Sequence, residues 1–86
     1  MYPRVDLYTE PGCPHCAAAK EYLASRGVLF RERDVTQDLA ARLELQSLNV
    51  AGVPVVVIGR DAVFGFDRER IDDLLKAKGV PAPAGK

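Results

Sequence analysis

Cys13 and Cys16 are the only two cysteines of the chain, and they stand one helical turn apart in the stretch EPGCPHCAAAK. Pro14 and His15, the only histidine, lie between them. Two thiols at this spacing can exchange with a disulfide, hold a metal or close a structural bridge. Zinc asks for about four ligands, and this segment offers Cys13, His15 and Cys16 alone. A structural bridge here would close a loop too short to constrain the unfolded chain. Exchange chemistry suits the pair best. If the segment opens a helix, unpaired N–H groups and the positive end of the helix dipole favour a thiolate at Cys13. That makes Cys13 the attacking sulfur. Cys16, one turn further in, is placed to break a mixed disulfide by attacking Cys13. Pro14 stiffens the ring between them and removes one donor. His15 either adds a positive partner for the thiolate or is an exposed residue without a role.

The elements that must hold this pair are readable from periodicity. Arg4 to Thr9 reads RVDLYT, with Val5, Leu7 and Thr9 alternating against Arg4, Asp6 and Tyr8, a strand pattern. Glu10 to Gly12 form a turn. Pro14 suits a first helical position, and the helix is predicted to run to about Arg26 with Gly27 as its stop. Ala18, Ala19, Tyr22 and Leu23 share one face. Val28 to Arg33 gives a second strand, and a strand, helix and strand so close together predict a parallel βαβ unit. Asp34 or Thr36 is expected to cap a second helix ending near Leu48, with Leu39 and Leu43 inward. Val55 to Ile58 is a continuous apolar strand. Gly59, Arg60 and Asp61 turn into a short partner, Ala62 to Phe64. Asp67 caps a third helix whose stripe is Ile71, Leu74 and Leu75 and whose stop is Gly79.

The order β-α-β-α-β-β-α predicts an α/β protein with the thioredoxin fold, a four-stranded mixed sheet carrying helices on both faces. Residues 1–79 form the expected domain. Residues 80–86, VPAPAGK, form an expected flexible tail. With 86 residues, one domain is the default, and 48 % apolar content argues against disorder. Lys plus Arg and Asp plus Glu each number 12, so net charge gives no argument for nucleic acid. No apolar run approaches a membrane span, and the start MYPRVDLYTE lacks the features of a signal peptide. The expectation is a cytoplasmic, monomeric protein, in a compartment where thiols stay reduced.

A second signal is Gly52-Val53-Pro54, just ahead of the strand at Val55. A cis bond between Val53 and Pro54 would expose the Val53 backbone to an extended peptide or to glutathione, in the manner of strand addition. An ordinary trans proline at a strand edge is the alternative.

With these segments placed, the chain resembles the glutaredoxin family over residues 4 to about 78. YTEPGCPHCAAAK is similar to the family's strand, C-P-x-C loop and helix start. GVLFRERDV (27–35), GVPVVVIG (52–59) and FGFDRERIDDLL (64–75) are similar to its second strand, its cis-proline strand and its last turn and helix. The resemblance implies a thiol–disulfide oxidoreductase with Cys13 as nucleophile, Cys16 as resolver, Pro14 and His15 tuning them, and Pro54 cis. It implies a site for glutathione or a protein substrate at Val53, Pro54, Gly65, Phe66 and Asp67, with no bound cofactor and no metal. The electron donor would be glutathione or thioredoxin reductase. The targets would be disulfide-containing proteins, ribonucleotide reductase among them.

Three positions depart from the family pattern. His15 stands where tyrosine is usual, Phe64 where the first glycine of G-G-x-D is usual, and Glu10 where a basic residue often precedes the loop. Gly65-Phe66 is similar instead to the NrdH-redoxins, glutaredoxin-like proteins that take electrons from thioredoxin reductase. Phe66, if exposed, would offer a partner an aromatic anchor. The competing class is a non-catalytic thioredoxin-fold binding module, or a scaffold on which glutathione helps Cys13 hold an iron–sulfur cluster.

Overall fold

The structure, a computed structural model, describes residues 3–50 and 52–81. Its elements are β1 (Val5–Thr9), α1 (Pro14–Ser25), β2 (Arg31–Asp34), α2 (Leu39–Ser47), β3 (Val55–Ile58), β4 (Asp61–Phe64) and α3 (Arg68–Ala77). The sheet order is β2-β1-β3-β4. β1 runs parallel to β2 and antiparallel to β3, which pairs antiparallel with β4. This is the thioredoxin fold. None of its described helices is long and apolar enough to cross a membrane.

Two cores explain the strand sequences. On one face, Val5, Leu7, Val56, Ile58 and Val63 pack against Ala19 and Leu23 of α1 and Ile71 and Leu75 of α3. On the other, Tyr8 and Val55 pack against Ala41 and Leu45 of α2. A central strand covered on both faces needs no polar face. Hence the alternation read in β1 does not separate core from solvent: all five of its residues are buried, Asp6 and Tyr8 included.

Several boundaries differ from the sequence expectation. β2 begins at Arg31, three residues after Val28. Val28 closes the helix stop instead, donating its N–H to the Leu23 carbonyl, while Leu29 lies open to solvent. The cap of α2 is Asp38, whose Oδ1 accepts the Ala41 N–H at 3.1 Å. Asp34 and Thr36 hydrogen-bond each other in the preceding turn. The face of α2 differs too: Leu39 and Leu43 are exposed, while Ala41 and Leu45 are buried.

The phase of α2 follows from a polar network on the second face. Arg33, 7 % exposed, donates from Nε to Asp38 (3.0 Å) and from Nη1 to Glu44 (3.1 Å). The Tyr8 hydroxyl donates to the same Glu44 at 2.7 Å. A nearly buried guanidinium must be paired, so Asp38 and Glu44 turn toward the sheet edge and the leucines between them turn outward. At the far end of the chain, Val80 packs on the core and donates its N–H to the Leu75 carbonyl. It is therefore not part of a loose tail; residues 82–86 of that predicted tail lie outside the described residues.

Candidate active site

Three connections meet at one end of the sheet. β1 ends at Thr9, whose carbonyl accepts the N–H of Val35 just after β2. Tyr8 stands opposite Val55 in the antiparallel register, so Pro54 and Val53 lie at this end as well. The β1–α1 turn, the start of α2 and the approach to β3 therefore converge.

The turn places the cysteines. Gly12 takes φ +78°, a conformation that a side chain would disfavour. Cys13 is the N-cap of α1, with extended backbone (φ −92°, ψ 110°), and Pro14 is the first helical residue. The Cys13 Sγ accepts the Cys16 N–H at 3.2 Å. A sulfur thus does the work that Ser or Asp does at most helix starts. Helix N–H groups and the dipole stabilise negative charge at that point. Both cysteines are free thiols; Cys13 is half-buried and Cys16 is buried, with 3 % of its surface exposed. The Cys16 thiol is pushed up to about 12, mainly by burial and then by its hydrogen bond with Cys13, against the pull of the Glu10 backbone. The pair is asymmetric: one reachable sulfur at a helix end, and one protonated sulfur behind it. His15 is exposed on the first turn of α1. Lys20, further along α1, forms an exposed ion pair with Glu32.

The second group of expected residues adjoins the first. The Val53–Pro54 bond is cis. The Pro54 carbonyl accepts the Gly65 N–H at 2.9 Å, extending the β3–β4 pairing by one step. Gly65 holds φ +80°, which again favours glycine. Asp67 caps α3, its Oδ1 accepting the Arg70 N–H at 3.2 Å. The aromatics differ from the expectation. Phe66 is half-buried, packs on the core and meets the Tyr22 ring edge-on at 5.9 Å. Phe64, on the edge strand β4, is 58 % exposed. The aromatic open to a partner is therefore Phe64.

A groove of about 560 Å³ lies beside this end of the sheet. Glu10 and Val53 line one part of it, and Thr36, Arg42, Leu45 and Gln46 another. Sequence reading missed its α2 wall. Arg42 and Gln46 are four apart and flank Leu45, a signal usable only once the inward face of α2 is known.

The family model described as Glutaredoxin matches residues 5–63. A glutaredoxin-like 8.6 kDa protein of the rubredoxin operon of Clostridium pasteurianum is 37 % identical over 73 residues, 84 % of this chain and 97 % of that protein. Glutaredoxin 3 of Escherichia coli K12 is 35 % identical over 80 residues, 84 % of this chain and 96 % of its own. Among solved structures, the glutaredoxin-like NrdH-redoxin of Escherichia coli superposes with a TM-score of 0.76 at 30 % identity, covering 83 % of this chain and 93 % of that one.

Proposed function

The chain belongs to the glutaredoxin family of thiol–disulfide oxidoreductases, and on that premise we propose that it is a dithiol electron carrier reducing protein disulfides through Cys13 and Cys16. The carrying observation is the asymmetry of the pair: Cys13 caps the helix and receives the Cys16 N–H, while Cys16 is buried behind it. The Cys13 thiolate attacks one sulfur of the target disulfide. The new Cys13–target bond forms as the target's S–S bond breaks, and the first target thiolate leaves and takes a proton. Cys16 then attacks the Cys13 sulfur and gives up its proton to the second departing thiolate. Two electrons have moved to the target, and a Cys13–Cys16 disulfide remains. An external donor restores the dithiol.

For that donor we favour thioredoxin reductase over glutathione. Exposed Phe64 offers an aromatic anchor of the kind protein partners use. Glu10 puts a negative charge in the groove that an anionic tripeptide would enter. Val53 supplies the backbone contacts for an extended partner beside cis Pro54 and Gly65, Phe66 backs that turn, and Asp67 holds α3 behind it. Ribonucleotide reductase is the target class suggested by the likeness to NrdH-redoxin. The proposed setting is the cytoplasm, where a monomer with two free thiols stays reduced.

Two measurements test this reading. Cys13→Ser abolishes disulfide reduction, whereas Cys16→Ser accumulates a mixed disulfide that peptide mapping places at Cys13; trapping at Cys16 would refute the assignment. Reduction of the oxidised protein is then timed with glutathione and with NADPH plus thioredoxin reductase, for wild type and Phe64→Gly. Faster turnover with glutathione in wild type, unchanged in Phe64→Gly, removes the preference for a protein donor.

A further inference from the structure

Several charged side chains elsewhere on the molecule are paired. Arg33 joins Asp38 and Glu44, Arg31 joins Asp6, Arg26 joins Asp72, Lys20 joins Glu32 and Lys78 joins Asp61. Glu10 and Arg42 are unpaired, as are exposed Arg4, Arg60 and Lys76 among others, but Glu10 and Arg42 are the two charged residues that line one groove. Among the described residues, neither of these two side chains forms a salt bridge or hydrogen bond. The same groove presents Val35, Leu45, Val50 and Val53, with Thr36 and Gln46. Its volume, about 560 Å³, falls in the range of roughly 300–1,000 Å³ usual for binding clefts.

The two charges stand on different elements, and one of them adjoins the cysteines. Glu10 belongs to the turn that ends in Cys13, and its charge bears on Cys16. Arg42 stands on α2 and lines the same groove. Two opposite charges that line one groove of mixed polar and apolar character without pairing make a dipolar receptor. Its complement is a cation near the reacting sulfur and an anion further along.

We propose that this groove selects among protein disulfides, taking an extended segment with a basic residue beside the reacting cysteine, which Glu10 meets, and an acidic residue a few positions away, which Arg42 meets. Apolar side chains between those two charges fill the groove wall. The proposal rests on the thiol–disulfide exchange inferred above and names its substrate class.

The test uses synthetic peptides, each bearing one cysteine as a neutral mixed disulfide with 2-mercaptoethanol. One set carries lysine next to the cysteine and glutamate three positions away, in both chain directions. A second set exchanges the two charges, and a third carries neither. The pre-reduced protein is mixed with each peptide, and release of the peptide thiol is followed in a single turnover, which removes the electron donor from the measurement. Exposed ion pairs are weak, so each contributes about threefold, and the preferred set should lead the exchanged set by roughly tenfold at low ionic strength. About 0.5 M salt should bring that ratio near one. In the double variant Glu10→Lys, Arg42→Glu the preference should invert; turnover of the neutral peptide confirms that the variant is folded and active. Equal rates across the peptide sets, or a preference that survives the charge exchange unchanged, overturns the proposal. Failure to reduce any peptide sinks the exchange reading itself.

Discussion

Cys13 and Cys16 are one residue type at one helix start, yet their surroundings assign them opposite tasks. Cys13 keeps part of its surface open at the helix end, while Cys16 is closed in and its thiol is pushed up to about 12, chiefly by burial. Alkylation should separate them. Iodoacetamide near pH 8 should modify Cys13 in the reduced protein, and mass mapping should leave Cys16 unlabelled. In Cys13→Ser, the causes of the Cys16 shift that come from Cys13 vanish but burial remains, so Cys16 should react only in alkaline solution. Ready labelling of Cys16 at neutral pH would contradict the assigned environments. His15 supplies a second prediction at this scale. An imidazolium close to the helix start favours the reduced thiolate and so raises the reduction potential. His15→Tyr should make the couple more reducing, by about 10–20 mV if the charge contributes roughly 0.5–1 kcal/mol. Equilibration against glutathione measures it, and an unchanged potential leaves His15 as an exposed residue of no redox consequence.

Among the elements, α2 is the one whose orientation matters most, because it forms the wall of the groove. Its attachment rests on Ala41 and Leu45 below and on the Arg33 network at its side. Leu45→Ala should cost about 2–4 kcal/mol, the usual loss for a buried leucine. Leu43→Ala, on the exposed face, should change stability by no more than about 0.5 kcal/mol. Urea unfolding of the two variants decides between this packing and a helix turned to bury Leu39 and Leu43, for which the order of costs reverses. The cap is separable in the same way. Asp38→Ala removes both the acceptor for the Ala41 N–H and a partner of Arg33, so its urea midpoint should fall below that of the wild type. Thr36→Ala touches only the preceding turn and should be nearly silent.

For the molecule as a whole, pH dependence collects these local effects. Cys16 and Tyr8 are both raised to about 12, from 9.0 and 10.0, with burial the largest cause for each. A group whose pKa is raised by folding stabilises the fold while it is protonated in both states. That contribution is complete below its unfolded value and drains away as pH climbs through the window from about 9 to 12. Glu44, Asp61 and Asp38 are shifted down, first by hydrogen bonds from Tyr8, Lys78 and the Ala41 N–H respectively. Their contribution is complete above the ordinary carboxylate values and is lost as pH falls below them. The urea midpoint should therefore be level from about pH 6 to 8 and fall on both sides. The disulfide form has no Cys16 thiol to ionise, so its alkaline decline should be shallower than that of the dithiol. Parallel curves for the two forms above pH 9 would rule out the buried, protonated state of Cys16.

Local chemistry made much of this protein legible from its chain. Cys13 before Pro14 marks a helix start, because proline has no N–H to lose there, and the sulfur does cap α1. Asp67 caps α3, Gly27 and Gly79 follow the ends of α1 and α3, and the apolar run Val55–Ile58 is the strand its composition suggests. Each of these depends on neighbours within a turn or two. What a side chain faces depends on residues far along the chain, and there the tertiary structure decided. Leucines at 39, 43 and 45 permit more than one inward face for α2. Arg33, on the edge strand, selects the one that brings Asp38 and Glu44 to its guanidinium. Asp6 and Tyr8 read as a polar face until Arg31 and Arg33 of β2 cover the first and α2 covers the second. Phe64 and Phe66 are equivalent in composition, but only Phe66 finds Tyr22 beneath it, 44 positions earlier in the chain. The groove was invisible for the same reason: Glu10, Arg42 and Val53 become one surface only when three separate connections converge at one end of the sheet.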